Sequence, residues 1–334
     1  MSNKTLIIAE AGANHNREFS IATALIDAAV NAGSDIVKFQ TYSSETLYSK
    51  NTPDFAGYEN INDLIKSIEL PRSWQKDLKM YCDDSNIEFM STPFDLLAID
   101  QLYELGVKRL KIAGFESTDP RIVKHAASTK LPLIITAGIG VSLEKVKKIY
   151  SWVNEENPEP DVTFLHGNNA YPTPYKDINL GQMEKIRSLN LPVKVGLSDH
   201  TRGVIIPPVA VSLGAQTIEK HFTLNRNMPG PDHPFAIEPN ELKEMVGNIR
   251  IVEQSLGVKT EEYTSSESGG FTKARRSVVA SREIKKGERI TLENVTTKRP
   301  FLEGSVSAEY YYDIIGSVSS KDIGEDEIIF ECDL

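Results

Sequence analysis

Two stretches of the sequence read as strands that close on an acid and a histidine: KVGLSDHTRG (194–203), with Asp199 and His200, and QTIEKHFTL (216–224), with Glu219, Lys220 and His221. Adjacent strands lie about 4.8 Å apart, so imidazoles at the ends of two neighbours come within reach of each other. His200 and His221 could therefore share one divalent metal and leave positions open for water or substrate oxygens, as catalytic metal sites do. Lys38 in DIVKFQT and Lys111 in RLKIAG also sit near strand ends, and in an acidic chain they suggest an anion site. Glu10, Gln40, Thr92, Asn168, Asn169, Ser198 and Asp199 hold comparable positions.

Bringing these residues to one place requires a repeating unit. Apolar, β-branched runs at 5–12, 35–41, 87–94, 109–114, 132–138, 161–168, 192–200 and 216–224 alternate with amphipathic stretches of helical length. Those stretches end near Gly or Asn, as helix C-termini often do. Eight consecutive βα units over residues 1–257 point to an α/β fold, a (β/α)8 TIM barrel, whose reacting groups come from the C-terminal ends of its strands. A doubly wound open sheet is the alternative that the same alternation permits. In the barrel frame the polar residues above converge on one mouth. After Gly257 a polar stretch without helical or strand period reads as a linker, 258–272. Residues 273–334 then form a small β-rich module with two similar turns, Lys286-Gly287-Glu288 and Ile323-Gly324-Glu325. Its core is thin, so docking on another surface would stabilise it.

Composition narrows the function. The chain has 334 residues, 40% of them hydrophobic, enough for a large core. Its 37 basic and 47 acidic residues give a net charge of −10, which argues against a nucleic-acid partner because phosphate backbones need a basic face. No apolar run reaches the roughly 18 residues of a membrane span, and MSNKTLIIAEAGANHN lacks the layout of a secretory signal. The expectation is a cytoplasmic protein with no membrane partner. Cys82 and Cys332, without CxxC spacing, read as inert thiols rather than a disulfide or a structural zinc site.

The segments IIAEAGANHN, VKFQTY, FMSTPFD, LKIAGFES, YPTPYKDINL, VGLSDHTRG, IEKHFTLNRNMPGPDH and KARRSVVASREIKKGERIT resemble the N-acetylneuraminate (sialic acid) synthase family in order and spacing. The resemblance implies a TIM barrel followed by an antifreeze-like (SAF) domain, in a domain-swapped homodimer where that domain caps the partner's barrel. The implied reaction condenses phosphoenolpyruvate with an open-chain N-acylated amino sugar, giving a nine-carbon 2-keto acid and inorganic phosphate. It requires a divalent metal, Mn2+ or Mg2+. By motif match His200 and His221 would hold the metal, and Glu116 would transfer protons. Lys38, Thr92, Lys111, Asn169 and Ser198 would hold the phosphate and carboxylate, with Lys38 and Lys111 stabilising charge during catalysis. Tyr171 and Asp232 would orient the sugar, Glu10 and Gln40 belong to the substrate-binding set, and Arg299 would reach the N-acyl group from the other subunit's cap.

The sequence departs from the family pattern twice. Where many relatives read KIASGE, this chain has Lys111-Ile112-Ala113-Gly114-Phe115-Glu116, which removes a serine hydroxyl and adds a ring. After KRP, Phe301-Leu302-Glu303 replaces a glycine-rich turn. Apolar Phe115 and Phe301 would suit a 6-deoxy sugar with a second acetyl group, 2,4-diacetamido-2,4,6-trideoxymannose, and so legionaminic acid as product. N-acetylmannosamine, for N-acetylneuraminate, and the pseudaminic acid precursor are the alternatives within the family. From other classes, a metal-dependent aldolase or hydrolase on the same barrel would release no phosphate, and a carbohydrate-binding protein would have no use for Lys38, Glu116, His200 and His221.

Overall fold

Strands that are apolar on both faces need cover on both, and the chain supplies it by returning each strand through helices. The computed structural model describes residues 4–53, 60–138, 140–258 and 263–334. It divides into two units, 1–257 and 258–334. In the first, the strands are β1 Leu6–Gly12, β2 Ile36–Thr41, β3 Glu88–Pro93, β4 Leu110–Ile112, β5 Leu133–Ala137, β6 Val162–Gly167, β7 Lys194–Asp199 and β8 Thr217–His221. Each lies inside a run expected to be a strand. Their order is β3-β2-β1-β8-β7-β6-β5-β4, every pairing is parallel, and β3 meets β4 at the seam. Because every strand neighbours the next in sequence, β8 returns to pair with β1, and β3 lies against β4 where the two ends of that order meet, the sheet closes into a TIM barrel and is not an open doubly wound sheet.

The helices of this unit are α1 Phe19–Ala32, α2 Ser44–Leu47, α3 Ile61–Ile68, α4 Gln75–Asp84, α5 Leu96–Glu104, α6 Pro120–Ser128, α7 Leu143–Glu156, α8 Gln182–Arg187, α9 Ile206–Ser212 and α10 Pro239–Ser255. Their periodicity explains them. In α1, Ala22, Leu25, Ile26, Ala29 and Ala32 form one buried stripe, and Gly33 ends the helix at φ 79°, a left-handed conformation that favours glycine. In α6, Pro120 opens the helix and the Asp119 carboxylate accepts from the Arg121 amide. Helices α2 and α3 were not expected from the sequence. They span 4 and 8 residues, shorter than the window in which a helical period becomes visible. Ile61 and Ile65 of α3 pack with Tyr42, just beyond β2, in a small cluster of their own. No helix among the described residues is long and apolar enough to cross a membrane. Cys82 is buried, and burial pushes its thiol up to about 12, whereas Cys332 is exposed.

The second unit is built on two antiparallel strands, β9 Ser277–Ala280 and β10 Val295–Lys298, around a core that includes Val278, Ile284, Ile290, Ile323 and Ile329. Ile284 precedes the first of the two similar turns and Ile323 opens the second, and these two residues bridge each other. The segment expected to be a featureless linker differs from that expectation. Its residues 259–262 lie outside the described residues, but Ser268–Lys273 forms a helix, α11. The Phe271 ring of α11 stacks on Tyr263 at 4.1 Å, and the Arg275 guanidinium lies 4.4 Å from Phe271 and 4.5 Å from Phe301. Ring and cation contacts between residues this far apart leave no periodic trace in a polar sequence.

Candidate active site

Side-chain alternation decides which residues enter the barrel. The inward residues of the lower layer include Ile8, Ile36, Met90, Ile134 and Leu165, a buried apolar floor. Gly196 of β7 stands opposite Leu165. A Cβ there would lie 2.2 Å from the Thr217 carbonyl oxygen and 2.8 Å from the Leu165 side chain, so only glycine lets the floor close.

Two residues further along β1, β2, β3 and β5 the inward positions turn polar. Lys38 Nζ lies 2.7 Å from Glu10 and 3.7 Å from Glu219, and donates to Thr92 Oγ1 at 2.9 Å. Lys111 Nζ lies 3.2 Å from Glu219, which also accepts from Ser198 Oγ at 2.8 Å. Gln40 Nε2 donates to Glu10 at 2.8 Å. Four strands, β1, β2, β4 and β8, thus place two ammonium groups against two carboxylates in one buried layer. Burial alone would raise Glu219, but Lys111 and Lys38 outweigh it and hold the carboxyl at about 2. At Glu10 burial outweighs Lys38, and the neighbouring Glu219 adds to it, so that carboxyl is lifted to about 7. Burial opposes the charge on Lys38, yet its two acidic partners keep it above the ordinary lysine value. Lys111, with less support, is lowered by burial.

One layer higher, His200 and His221 follow Ser198 and Glu219 by two residues, and their ring centroids are 5.4 Å apart. His200 Nδ1 is 2.5 Å from the Asn168 carbonyl oxygen, an acceptor only, so Nδ1 carries the proton and Nε2 keeps its lone pair. His221 Nδ1 is buried without a hydrogen-bond partner, and Asp232 Oδ2 stands 3.6 Å from it. Burial lowers both imidazoles, His221 further because His200 is beside it. Two neutral rings, one with an orphaned buried nitrogen and one with its second nitrogen fixed by a carbonyl, fit a borderline divalent cation. Among the described residues no cluster of three His, Cys, Asp or Glu forms a complete ligand set, so the imidazoles would leave most positions open.

Around the histidines stands an aromatic wall. Tyr171 lies 4.2 Å from His200 and 5.3 Å from Phe235, and Phe235 lies 5.2 Å from His221. Burial lifts the Asp232 carboxyl to about 6, although the Ala13 amide and Lys38 oppose the rise. Asn169 packs over two glycines: a Cβ on Gly138 would come within 2.3 Å of its Oδ1, and one on Gly114 within 3.3 Å. Gly114, the departure from KIASGE, therefore leaves room for Asn169. Glu116 begins a short 3-10 helix beyond β4, its Oε2 buried with no partner, and burial raises its carboxyl despite Lys111. It shares a cavity of about 370 Å³ with Phe115, which is itself exposed.

One expectation needs correction. Asp199 does not face the mouth. Both Asp199 and Lys220 turn to the outer side of the sheet, where they pair at 2.7 Å, because each alternates with an inward neighbour. Within the second unit the Phe301 ring lies against the Arg275 guanidinium, 4.5 Å away. Arg299 belongs to that unit and is exposed directly after β10. Sequence reasoning also passed over Thr136 and Phe235. Thr136 Oγ1 is buried without a partner in the lysine layer, but a threonine ending an aliphatic strand reads as an ordinary strand former. Phe235, three residues after Asp232 in PDHPF, carried no periodic signal.

Residues 25–261 match the model of the NeuB family, and residues 275–334 match the SAF domain. The chain belongs to the NeuB family. Among relatives of this NeuB-family chain, N,N'-diacetyllegionaminic acid synthase of Campylobacter jejuni is 38% identical, covering 98% of this chain and 99% of the relative. The enzyme of the same name from Legionella pneumophila is 39% identical over 88% of this chain and 85% of its own. A solved N-acetylneuraminic acid (sialic acid) synthetase from Leptospira borgpetersenii, in complex with citrate, has 32% identity and a TM-score of 0.73, covering 80% of this chain and 90% of that one.

Proposed function

We propose that this nonulosonate synthase condenses phosphoenolpyruvate with 2,4-diacetamido-2,4,6-trideoxymannose to give N,N'-diacetyllegionaminic acid and inorganic phosphate. The observation that carries the reaction class is the pair of buried ammonium groups, Lys38 and Lys111, set directly beneath two neutral histidines. The choice of sugar is supported by the relatives at 38% and 39% identity and by the exposed Phe115 ring beside Glu116. N-acetylmannosamine is the second reading, favoured by the likeness to the sialic acid synthetase structure.

Lys38, Lys111, Thr92 and Ser198 offer donors to the phosphate and carboxylate of phosphoenolpyruvate, which compete with Glu10 and Glu219 for the ammonium heads. His200 and His221 would hold Mn2+ or Mg2+, and a cation there supplies Lewis-acid polarisation of the sugar's aldehyde oxygen. The C3 carbon of phosphoenolpyruvate forms the new bond to the aldehyde carbon, water adds at C2, and the C2–O bond to phosphate breaks. Glu116, raised by burial, takes or returns the protons of the water and the new hydroxyl. Asp232 and Tyr171, against the histidines, orient the sugar.

The test is incubation with phosphoenolpyruvate, Mn2+ and each candidate sugar, recording phosphate and the mass of the keto acid. The diacetamido sugar is expected to give the highest kcat/KM. Faster turnover of N-acetylmannosamine would move the product to N-acetylneuraminate, and keto acid without phosphate release would exclude the synthase chemistry. In the same reading Arg299 contacts the sugar's N-acyl group across a domain-swapped homodimer. Arg299→Ala is then expected to raise the sugar's KM with kcat nearly unchanged. Exchange of impaired Arg299→Ala subunits with inactive His200→Ala subunits should restore part of the activity. Mixed dimers verified by mass that stay as impaired as their parents would assign Arg299 to its own subunit or to no role.

A further inference from the structure

The outer faces of β7 and β8 carry an ion pair that takes no part in the chemistry above. Asp199 and Lys220 are direct partners in the last rung of the β7–β8 ladder, and their side chains are 0% and 2% exposed. Around them a closed set of bonds forms beyond the end of the ladder. Lys220 Nζ lies 2.7 Å from Asp199 Oδ2 and also donates to the Thr201 carbonyl. Asp199 in turn accepts from the Thr201 amide at 3.0 Å and from the Thr201 hydroxyl at 3.1 Å. His200 is the residue between Asp199 and Thr201, and His221 is the residue after Lys220. The chain on either side of His200 is thus tied to the residue that precedes His221, while both imidazoles project to the opposite, inner side.

We propose that Asp199, Thr201 and Lys220 act as positioning residues, a knot on the outer face of the sheet that fixes the spacing of His200 and His221 and thereby sets the affinity of the two-imidazole site for a divalent cation. Stability alone gives a weak reason for such a pair. Removing two charges from water costs about as much as their attraction returns, and an apolar pair of similar volume is often as stable or more so. Holding one register is the better attested use of buried ion pairs. Here the pairing of β7 with β8 stops at Asp199 and Lys220, one residue short of the histidines, and whereas His221 still pairs with Glu10 of β1, His200 has left the ladder.

The inference rests on the metal reading of the histidines, and the experiment separates the two. Mn2+ binding is measured by calorimetry on the folded full-length chain, without substrates and well below the melting temperature. The proteins compared are wild type, His221→Ala, Lys220→Met and the double variant Asp199→Leu/Lys220→Met. Lys220→Met leaves Asp199 buried and unpaired and is expected to melt earlier. The double variant removes both charges and is expected to melt close to wild type, yet to bind Mn2+ about 10–100-fold more weakly, the usual effect of losing groups that orient metal ligands. A double variant that folds as wild type and binds Mn2+ within about threefold of it overturns the positioning role and leaves the metal site standing. A wild-type chain that binds no Mn2+, or binds it no better than His221→Ala, overturns the metal site and the positioning role together.

Discussion

Alanine at His200, or at His221, is expected to lower turnover by about 10³-fold or more while the barrel stays folded, and excess chelator should do the same to the unmodified chain. Lewis-acid stabilisation is worth several kcal/mol, and each 1.36 kcal/mol is tenfold in rate, which sets that scale. The fold has little to lose. His221 Nδ1 has no hydrogen-bond partner, and the His200 imidazole donates to a loop carbonyl, that of Asn168. Both rings are neutral, so neither leaves an uncompensated charge behind. Melting curves and phosphate release, with and without added Mn2+, provide the check. Full turnover in excess chelator, or in either alanine variant, would reject a metal at these histidines.

Glutamine at Glu116 is expected to reduce kcat by about 10²–10⁴-fold, the usual contribution of a positioned acid or base, with phosphoenolpyruvate affinity largely kept. Burial raises this carboxyl, so the limb of the pH–rate profile that it controls lies above the ordinary carboxylate range. If Glu116 acts as the base, activity falls as pH drops through that raised value, and the limb disappears in the glutamine variant. A bland role for the residue, as the acid that starts a helix, is already filled. Asp119 caps α6, and no side chain caps the 3-10 turn that Glu116 opens. A glutamine variant that melts earlier yet turns over normally would return Glu116 to a structural part.

The strands were legible because apolar β-branched runs separated by helix-length stretches have few other uses, and all eight lie where that pattern places them. The inward polar layer was legible too. Lys38, Thr92, Lys111, Ser198 and Glu219 are odd residues for strand ends, and the structure gathers them in one layer. What the pattern left open was the face. Asp199 and Lys220 look as functional as their neighbours, and only the alternation fixed by pairing with β8 sends them to the outside. Thr136 and Phe235 were hidden for the opposite reason, since each is an ordinary residue for its local structure. The docking of Phe271 and Phe301 on Arg275 depends on rings about thirty residues apart meeting on one cation, which no local window contains.

The apolar floor beneath the lysines has a consequence for traffic. Ile8, Ile36, Met90, Ile134 and Leu165 plug the lower end of the barrel, so molecules reach the lysine layer by way of the histidines. Glu219 and Ser198 lie two residues below His221 and His200, about 7 Å deeper along the strand direction. If the ammonium groups hold one reactant and the imidazoles the other, as proposed, the first has to enter before the second, and a product left in the lower chamber departs only after the upper one has cleared.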